Sequence, residues 1–524
     1  MPWTSTQLHN LAHTQLRGRR LVVVSNREPY IHSDIGGEIS CEQPASGVAS
    51  GLDAVLRACG GVWVAHGGGT ADRRMVDAHD RVRVPPQQPR YTLKRVWLTA
   101  EEEAGYYYGF ANEGLWPLCH AVATRPRFVH ADWTAYARVN EKFAQAVLTE
   151  IGTAPAVVWI QDYHFALLPR LLKDARPDLL VAQFWHIPWP QPEAFRLCPW
   201  KNDLLQGLLA NDLLGFHLRS YCDNFLATVG RELAVRVDRE RSVVLHRAGA
   251  ETVVRPFPMS TDFSTLARQA ESAAVRDEAT RIQRTYGLQG RRICLGLDRV
   301  DYTKGIPERL RAVDRLFSKY PRYRRHLVFL QAGPESRGRL PHYQALNAEI
   351  RALVDDINHR HGTTDWTPIL LLRQHFPLTQ VLALYRLAEV CVVSALHDGM
   401  NLVAKEYVAA KNDEAGVLVL SQFTGAAREL QQALLINPHD RETFADTLAR
   451  ALEMAADERA HRMRALRDTV AEHNIYRWAG QVLHTLTTLP HQVMREASPP
   501  PQARFAARCL VEAKTIHHQS LAGD

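Results

Sequence analysis

The chain has 524 residues, 46% hydrophobic and 23% charged, with a formal charge of +7. Its length exceeds the roughly 250–300 residues at which one hydrophobic core stops growing, so at least two domains of an ordinary globular type are expected. No apolar run approaches the ~20 residues of a membrane helix, and the N-terminal MPWTSTQLHNLAHTQLRGRR lacks a signal peptide's apolar core; the excess Arg is interleaved with acids, as in RALRDTVAEH, which argues for the cytoplasm and against a membrane or nucleic-acid partner.

In chain order, RRLVVVSNREP, APAVVWIQDYH, LLVAQFWHIP, RRICLGLDRV, HLVFLQAGP, PILLLRQHF, AEVCVVSAL and AGVLVLSQF each hold an apolar run that ends in polar residues, usually before a helical segment. Near-continuous apolar strands separated by helices predict an α/β fold of parallel sheets covered on both faces. Ligands bind such sheets at the carboxyl ends of the strands, so the polar residues ending each run are the site candidates. A boundary is expected near RPFPMSTDFSTLARQAES, separating 1–258 from 259–477, where a Pro-containing strand exit gives way to a long polar helical region. The proline run in ASPPPQARFAARCL predicts a loosely ordered tail over 497–524. Eight scattered cysteines (Cys41, Cys59, Cys119, Cys198, Cys222, Cys294, Cys391 and Cys509), without C-x-x-C, predict reduced thiols rather than disulfides or a zinc site.

Two strand ends carry chemistry. After ICLGL come Asp298, Arg299, Val300, Asp301, Tyr302, Thr303, Lys304 and Gly305. Arg299 and Lys304 beside a glycine can neutralise a diphosphate, one by a forked pair of bonds and one as a point charge. A surface salt-bridge pair with Asp298 or Asp301 is the alternative. After EVCVVSAL, Asp398 and Gly399 make a turn before Leu402, Val403 and Tyr407 recur at helical spacing. The free N–H groups of Gly399, Met400 and Asn401 would suit phosphate or sugar oxygens at a helix N-terminus, and Glu406 could accept from a ribose diol. Asp398 could equally be the helix N-cap alone.

The motifs DGMNLVAKEYVAAK, DRVDYTKGIPERL, WIQDYHFALLP, HIPWPQPEAF, SNREP and GVLVLSQFTGAA together resemble the trehalose-6-phosphate synthases, in order from about Leu21 to the helices around Trp478. The resemblance implies a GT-B architecture, with two Rossmann-like domains whose parallel sheets face a central cleft. It implies an acceptor domain over 1–258, a nucleotide-sugar domain over 259–477 and a helix over 478–496 that crosses back to the first domain. It implies a retaining glucosyltransferase with UDP-glucose as donor and glucose 6-phosphate as acceptor, both small molecules, no metal or other cofactor, and a homo-oligomer.

By motif, Arg299 and Lys304 match the diphosphate pair, Glu406 the ribose contact, and Asp398 with the amides of Gly399, Met400 and Asn401, followed by Leu402, the group gripping the donor. Gly47 matches the family's first glycine loop, and His186 the histidine beside the donor's reacting carbon. For the acceptor, Arg27 and Arg337 match the phosphate arginines, Tyr107 and Trp116 an aromatic pair, and Asp162 a hydroxyl-binding carboxylate. Core packing is the competing reading of the two aromatics.

Departures bear on the acceptor. Ser46-Gly47 stands for the family's Gly-Gly, His397 for an Arg, and His66 for a tryptophan in the acceptor pocket wall. "REPY" is similar to glucosylglycerol-phosphate synthases, which use glycerol 3-phosphate, whereas Ser336-Arg337 is similar to the trehalose branch. No carboxylate nucleophile stands out, so front-face attack is the expected route to retention. A nonenzymatic sugar-phosphate sensor would be expected to lose some of Arg299, Lys304, Asp398 and Glu406, and all are present. A dehydrogenase would need G-x-G-x-x-G after a strand; HGGGTADR has the glycines at other spacings and reads as a loop.

Overall fold

The computed structural model describes residues 2–44, 47–246 and 250–489. All eight apolar runs are strands, divided between two sheets. Their continuous apolar character follows from burial on both faces: Val157, Val158, Trp159 and Ile160 are all inaccessible to solvent.

The first sheet has ten strands, in the spatial order Arg236–Asp238, Val243–Leu245, Glu251–Pro256, Leu213–Phe216, Leu180–Phe184, Ala156–Gln161, Arg20–Ser25, Val62–His66, Tyr91–Val96 and Arg81–Val84. Its centre is parallel, from Glu251–Pro256 across to Tyr91–Val96, and antiparallel strands close both edges. The second sheet has six strands, all parallel, in the order Ile369–Leu372, Leu327–Ala332, Arg292–Leu297, Val390–Val393, Val417–Ser421 and Leu434–Ile436. Each sheet has its own apolar core, one drawn from residues between Val22 and Val254 and the other between Leu266 and Val470.

In both sheets the strand order reverses at a central strand, and the crevice at such a reversal is where open α/β sheets bind ligands. In the first sheet it lies between Arg20–Ser25, whose exit carries Arg27, and Ala156–Gln161, whose exit carries Asp162. In the second it lies between Arg292–Leu297, followed by Arg299, and Val390–Val393, followed by Asp398.

The chain leaves the first sheet at Met259–Asp262 and returns to it through the helix Ile475–Thr488. Trp478 of that helix is buried against Trp159 at 4.9 Å and Phe184 at 5.1 Å between ring centroids. The Ile475 N–H donates to the Thr261 carbonyl at 3.1 Å, which ties the outgoing and returning segments together. Ser46, Cys509, residues 490–496 of the expected returning helix and the tail 497–524 lie outside the described residues. The seven described cysteines are free thiols, and of them only Cys41 is exposed. Among the described residues, no helix is long and apolar enough to cross a membrane and no cluster of His, Cys, Asp or Glu is placed to hold a metal ion.

Candidate active site

A cleft of about 950 Å³ lies between the carboxyl ends of the two sheets. Arg27, Gly47, Tyr107, Trp116, Asp162 and His186 line it from the first half. Arg299, Lys304, Arg337, Asp398, Met400, Asn401, Leu402 and Glu406 line it from the second. Two expected site residues, His66 and Gly399, are not in that lining.

On the second half, the exit of Arg292–Leu297 is held by a buried pair, Arg309 to Asp298 at 2.5 Å. Asp301 caps the short turn Tyr302–Lys304 through its side chain, and Gly305 follows with φ +60, its position only 2.3 Å from the Ser394 carbonyl if a Cβ were added. This turn delivers Lys304 to Asp398, Nζ to Oδ2 at 2.5 Å. Arg299 stands 3.9 Å from Asp301. Neither cation is therefore spent on Asp298. Burial pushes the Asp398 carboxyl up, but the charge and hydrogen bond of Lys304, with Asn401 Nδ2 at 3.1 Å, outweigh it and bring the group down to about 2.

The capping role belongs to Asn401 rather than Asp398: its side chain accepts from the Ala404 N–H at 3.1 Å at the start of the helix Leu402–Ala410, with its own φ at 82°. Asp398 is thereby left facing the cleft. The N–H groups of Gly399, Met400 and Asn401 donate to no other described group. They form a row of free donors at a helix N-terminus, where partial positive charge accumulates. Glu406, one turn in, accepts from Tyr385 Oη at 3.1 Å, and burial pushes its carboxyl up to about 7.

Two glycines let the halves approach. A Cβ on Gly47 would lie 2.7 Å from Leu402 Cδ1 and 3.2 Å from Glu406 Oε1. A Cβ on Gly399 would lie 2.3 Å from the His186 carbonyl. Gly399 thus serves as a contact between halves, behind the lining rather than in it.

On the first half, the exit of Ala156–Gln161 places Asp162 at φ 72, ψ 175, a backbone region that L-residues seldom occupy and that recurs at functional sites. Its carboxylate accepts from the Tyr163 N–H at 3.0 Å and the His186 N–H at 3.2 Å, yet burial pushes it up to about 7. His186 Nε2 pairs with Gln161 Oε1 at 2.9 Å, and burial holds this ring well below the usual histidine range. A π-helical stretch, Ala104–Leu115, carries Tyr107 and runs into Trp116.

Around these aromatics the arginines converge. Arg337, at φ 50, lies over the Trp116 ring at 4.3 Å and Arg299 at 5.3 Å; Arg337 Nη1 also meets Asp301 Oδ2 at 3.0 Å. Burial pushes the Tyr107 phenol up, but Arg27, Arg337 and Arg299 together bring it down to about 7. Three cations gathered tightly enough to favour a phenolate form a ready site for another anion.

His66 does not join them. It ends the strand Val62–His66 with its Nδ1 at 3.2 Å from the Val96 carbonyl, and Trp63 lines the cleft instead. Side chains alternate along a strand, so positions 63 and 66 face opposite sides, which accounts for the lining holding Trp63 and not His66. One residue was missed: His164, from the same QDYH motif, lines the cleft and stacks on Tyr107 at 5.9 Å and 10°. Both its ring nitrogens are buried without a partner among the described residues, as are His186 Nδ1 and Trp116 Nε1. Its signal was a polar aromatic three residues beyond a strand end.

The model of Glycosyltransferase family 20 matches residues 19–488. The trehalose-6-phosphate synthase of Mycobacterium avium (strain 104) is 39% identical over 473 residues, covering 89% of this chain and 94% of its own. A solved E. coli chain described as "Trehalose-6-phosphate … bound with UDP-2-fluoro glucose" superposes with a TM-score of 0.79 at 32% identity, over 90% of this chain and 99% of its own. A UDP-forming α,α-trehalose-phosphate synthase from Burkholderia xenovorans, solved in complex with glucose-6-phosphate, gives a TM-score of 0.80 at 32% identity, over 89% and 99% of the two chains.

Proposed function

The chain belongs to glycosyltransferase family 20, and from that premise we propose that it transfers glucose from UDP-glucose to glucose 6-phosphate with retention, giving trehalose 6-phosphate and UDP. The observation that carries this reading is the single cleft in which a row of free N–H groups and the Arg299–Lys304 pair face an arginine-ringed aromatic pocket. The first set suits a nucleotide diphosphate, the second a sugar phosphate. Relatives of the same fold bind a UDP-glucose analogue and glucose 6-phosphate, which supports both halves of the assignment.

We divide the chain accordingly, with residues 1–258 as the acceptor half and 259–477 as the nucleotide-sugar half. Glu406 takes the ribose, Arg299 and Lys304 the diphosphate, and Asp398 with the amides of Gly399, Met400 and Asn401 the transferred glucose. Arg27 and Arg337, from different halves, take the acceptor phosphate, so closure of the cleft is favoured only when it is filled.

As the donor bond breaks, negative charge grows on the leaving diphosphate. Fixed cations and free amides aimed at that charge stabilise it without reorganising. The carboxylates near the reacting centre are committed elsewhere, Asp162 to two amides and Asp398 to Lys304 and Asn401. Neither is set as a covalent nucleophile, which supports attack from the face the diphosphate leaves, with a phosphate oxygen taking the acceptor's proton. His186 stays a neutral imidazole beside the glucose.

The test is nucleoside-diphosphate release, UDP from UDP-glucose or ADP from ADP-glucose, with each donor crossed against glucose 6-phosphate and glycerol 3-phosphate. Release dependent on glucose 6-phosphate is the expected result. Release dependent on glycerol 3-phosphate alone would reassign the acceptor. That runner-up rested on REPY and His66, and His66 stands outside the cleft lining.

A pH dependence follows from Tyr107. Below about pH 7 it is a phenol; above, its phenolate neutralises the arginines meant for the acceptor. The kcat/KM for glucose 6-phosphate therefore falls as pH rises beyond about 7, by up to about tenfold per pH unit, and Tyr107→Phe flattens this limb. An unchanged limb in Tyr107→Phe would remove Tyr107 from the phosphate site.

A further inference from the structure

REPY and HGGGTADR, two stretches of the sequence, meet in one buried network whose charged members Glu28, Asp72 and Arg95 are not in the cleft lining. Its centre is Arg95, on the strand Tyr91–Val96 and 1% exposed. Arg95 Nε donates to Glu28 Oε2 at 2.8 Å, Nη1 to the Asp72 carbonyl at 3.1 Å, and Nη2 to the Tyr30 carbonyl at 3.0 Å. Nη2 also lies 2.7 Å from Asp72 Oδ1 and 2.8 Å from His32 Nδ1. The glycine loop completes it: the Gly68 N–H donates to Glu28 Oε1 at 3.0 Å and the Gly69 N–H to Asp72 Oδ2 at 2.6 Å. Gly69 is required there, because a Cβ would lie 2.3 Å from the His32 carbonyl.

Burying this much charge is costly, and a buried ion network is weak evidence of stabilisation by itself. What it does achieve is geometric. One planar fork holds the side chain of Glu28 and the carbonyl of Tyr30, so the part of the 26–30 loop that follows Arg27 is fixed to a sheet strand at two points. The remaining support comes from Ser25 Oγ, which donates to the Arg27 carbonyl at 2.6 Å and accepts from Trp63 Nε1 at 2.8 Å. Arg27, the phosphate ligand of the proposed acceptor site, stands in the middle of this clamped loop.

We propose that Arg95, with Glu28 and Asp72, is a positioning group for Arg27, fixing its loop so that its guanidinium is presented to the acceptor phosphate. This rests on the assignment of Arg27 to that phosphate. A lysine cannot replace Arg95, since it has no fork to reach the Glu28 carboxyl and the Tyr30 carbonyl at once. Glutamine can replace Glu28 in part: its carboxamide oxygen can still accept from Arg95 Nε, while burial already pushes the carboxyl up from its usual range.

The test is calorimetric titration of glucose 6-phosphate and, separately, UDP into the full chain bearing Arg95→Lys, Arg27→Gln or both, with Glu28→Gln as the conservative variant. Arg95→Lys is expected to weaken glucose 6-phosphate about tenfold and UDP less than about twofold, Glu28→Gln to keep most of the affinity, and Arg95→Lys to cost nothing further in the Arg27→Gln background. Equal weakening of both ligands, or an additive loss in that background, would make the network merely structural and overturn the proposal, as would no loss at all. Should Arg95→Lys fail to fold, Glu28→Ala enters the same cycle with the same expectations. If the wild-type chain binds neither glucose 6-phosphate nor glycerol 3-phosphate, the acceptor reading falls and this proposal with it. If it binds and the cycle is additive, only this proposal falls.

Discussion

Lys304→Ala is expected to lower kcat by about 10³ with any acceptor, while the fold persists. Lys304 sits 2.5 Å from Asp398 in a cleft where water is partly excluded, so its charge is weakly screened. In the proposed assignment it stands beside both the leaving diphosphate and the carboxylate assigned to glucose. Alanine removes a cation from the transition state and leaves Asp398 without the partner that holds it down to about 2, so the carboxyl should rise and lose part of its charge near neutral pH. Both effects strike the chemical step. Because the pair is only partly buried, its loss should cost less stability than the 3–5 kcal/mol of a fully buried one. Steady-state kinetics beside a thermal melt decide the matter: turnover within tenfold of wild type would remove Lys304 from the leaving-group site.

Gly399→Ala is expected to lower kcat/KM by about 10² or more, although alanine leaves in place the backbone N–H assigned to the glucose. Its added Cβ would fall 2.3 Å from the His186 carbonyl, a backbone atom that cannot swing aside as the end of a flexible side chain could. Relief requires the loop carrying Asp398 and Asn401 to retreat from the segment carrying His186. A displacement of that order spoils the alignment of donor and acceptor groups. Gly338→Ala is the matched control, since its Cβ would meet nothing within 4 Å, and it should behave as wild type. Equal activity in the two variants would show that the halves need not meet at His186 and Gly399.

Legibility in the sequence tracked how a residue's role depends on distance along the chain. The eight strands that were read have two buried faces and hence unbroken apolar runs. Tyr91–Val96 escaped because Lys94 and Arg95 interrupt its pattern, and Arg95 looks like a surface residue until Glu28 and Asp72 are seen around it. Val62–His66 is short and follows two glycines, the ordinary marks of a loop. The π-helical stretch Ala104–Leu115 has no periodicity that apolar spacing would reveal.

At the site, local grammar gave the residue types and tertiary contact their partners. Asp398 read as a plausible cap, because Asp before a helix usually is one; the backbone at Asn401, with φ 82, moved the cap three residues on. Lys304 and Asp398 are 94 positions apart, and only the adjacency of two strands at the sheet's reversal brings them to 2.5 Å.

The sequence by itself determined the fold class, the family resemblance and a set of site residues of which all but His66 and Gly399 line the cleft, because apolar runs, glycines and charged strand exits act over a few residues and leave their pattern in the chain. The tertiary structure alone decided which of them face one another: that the arginine trio surrounds Tyr107, that His66 turns away while His164 turns in, and that Gly399 meets His186. Those are outcomes of strand order, side-chain alternation and close backbone approach, which depend on how distant segments come together in space.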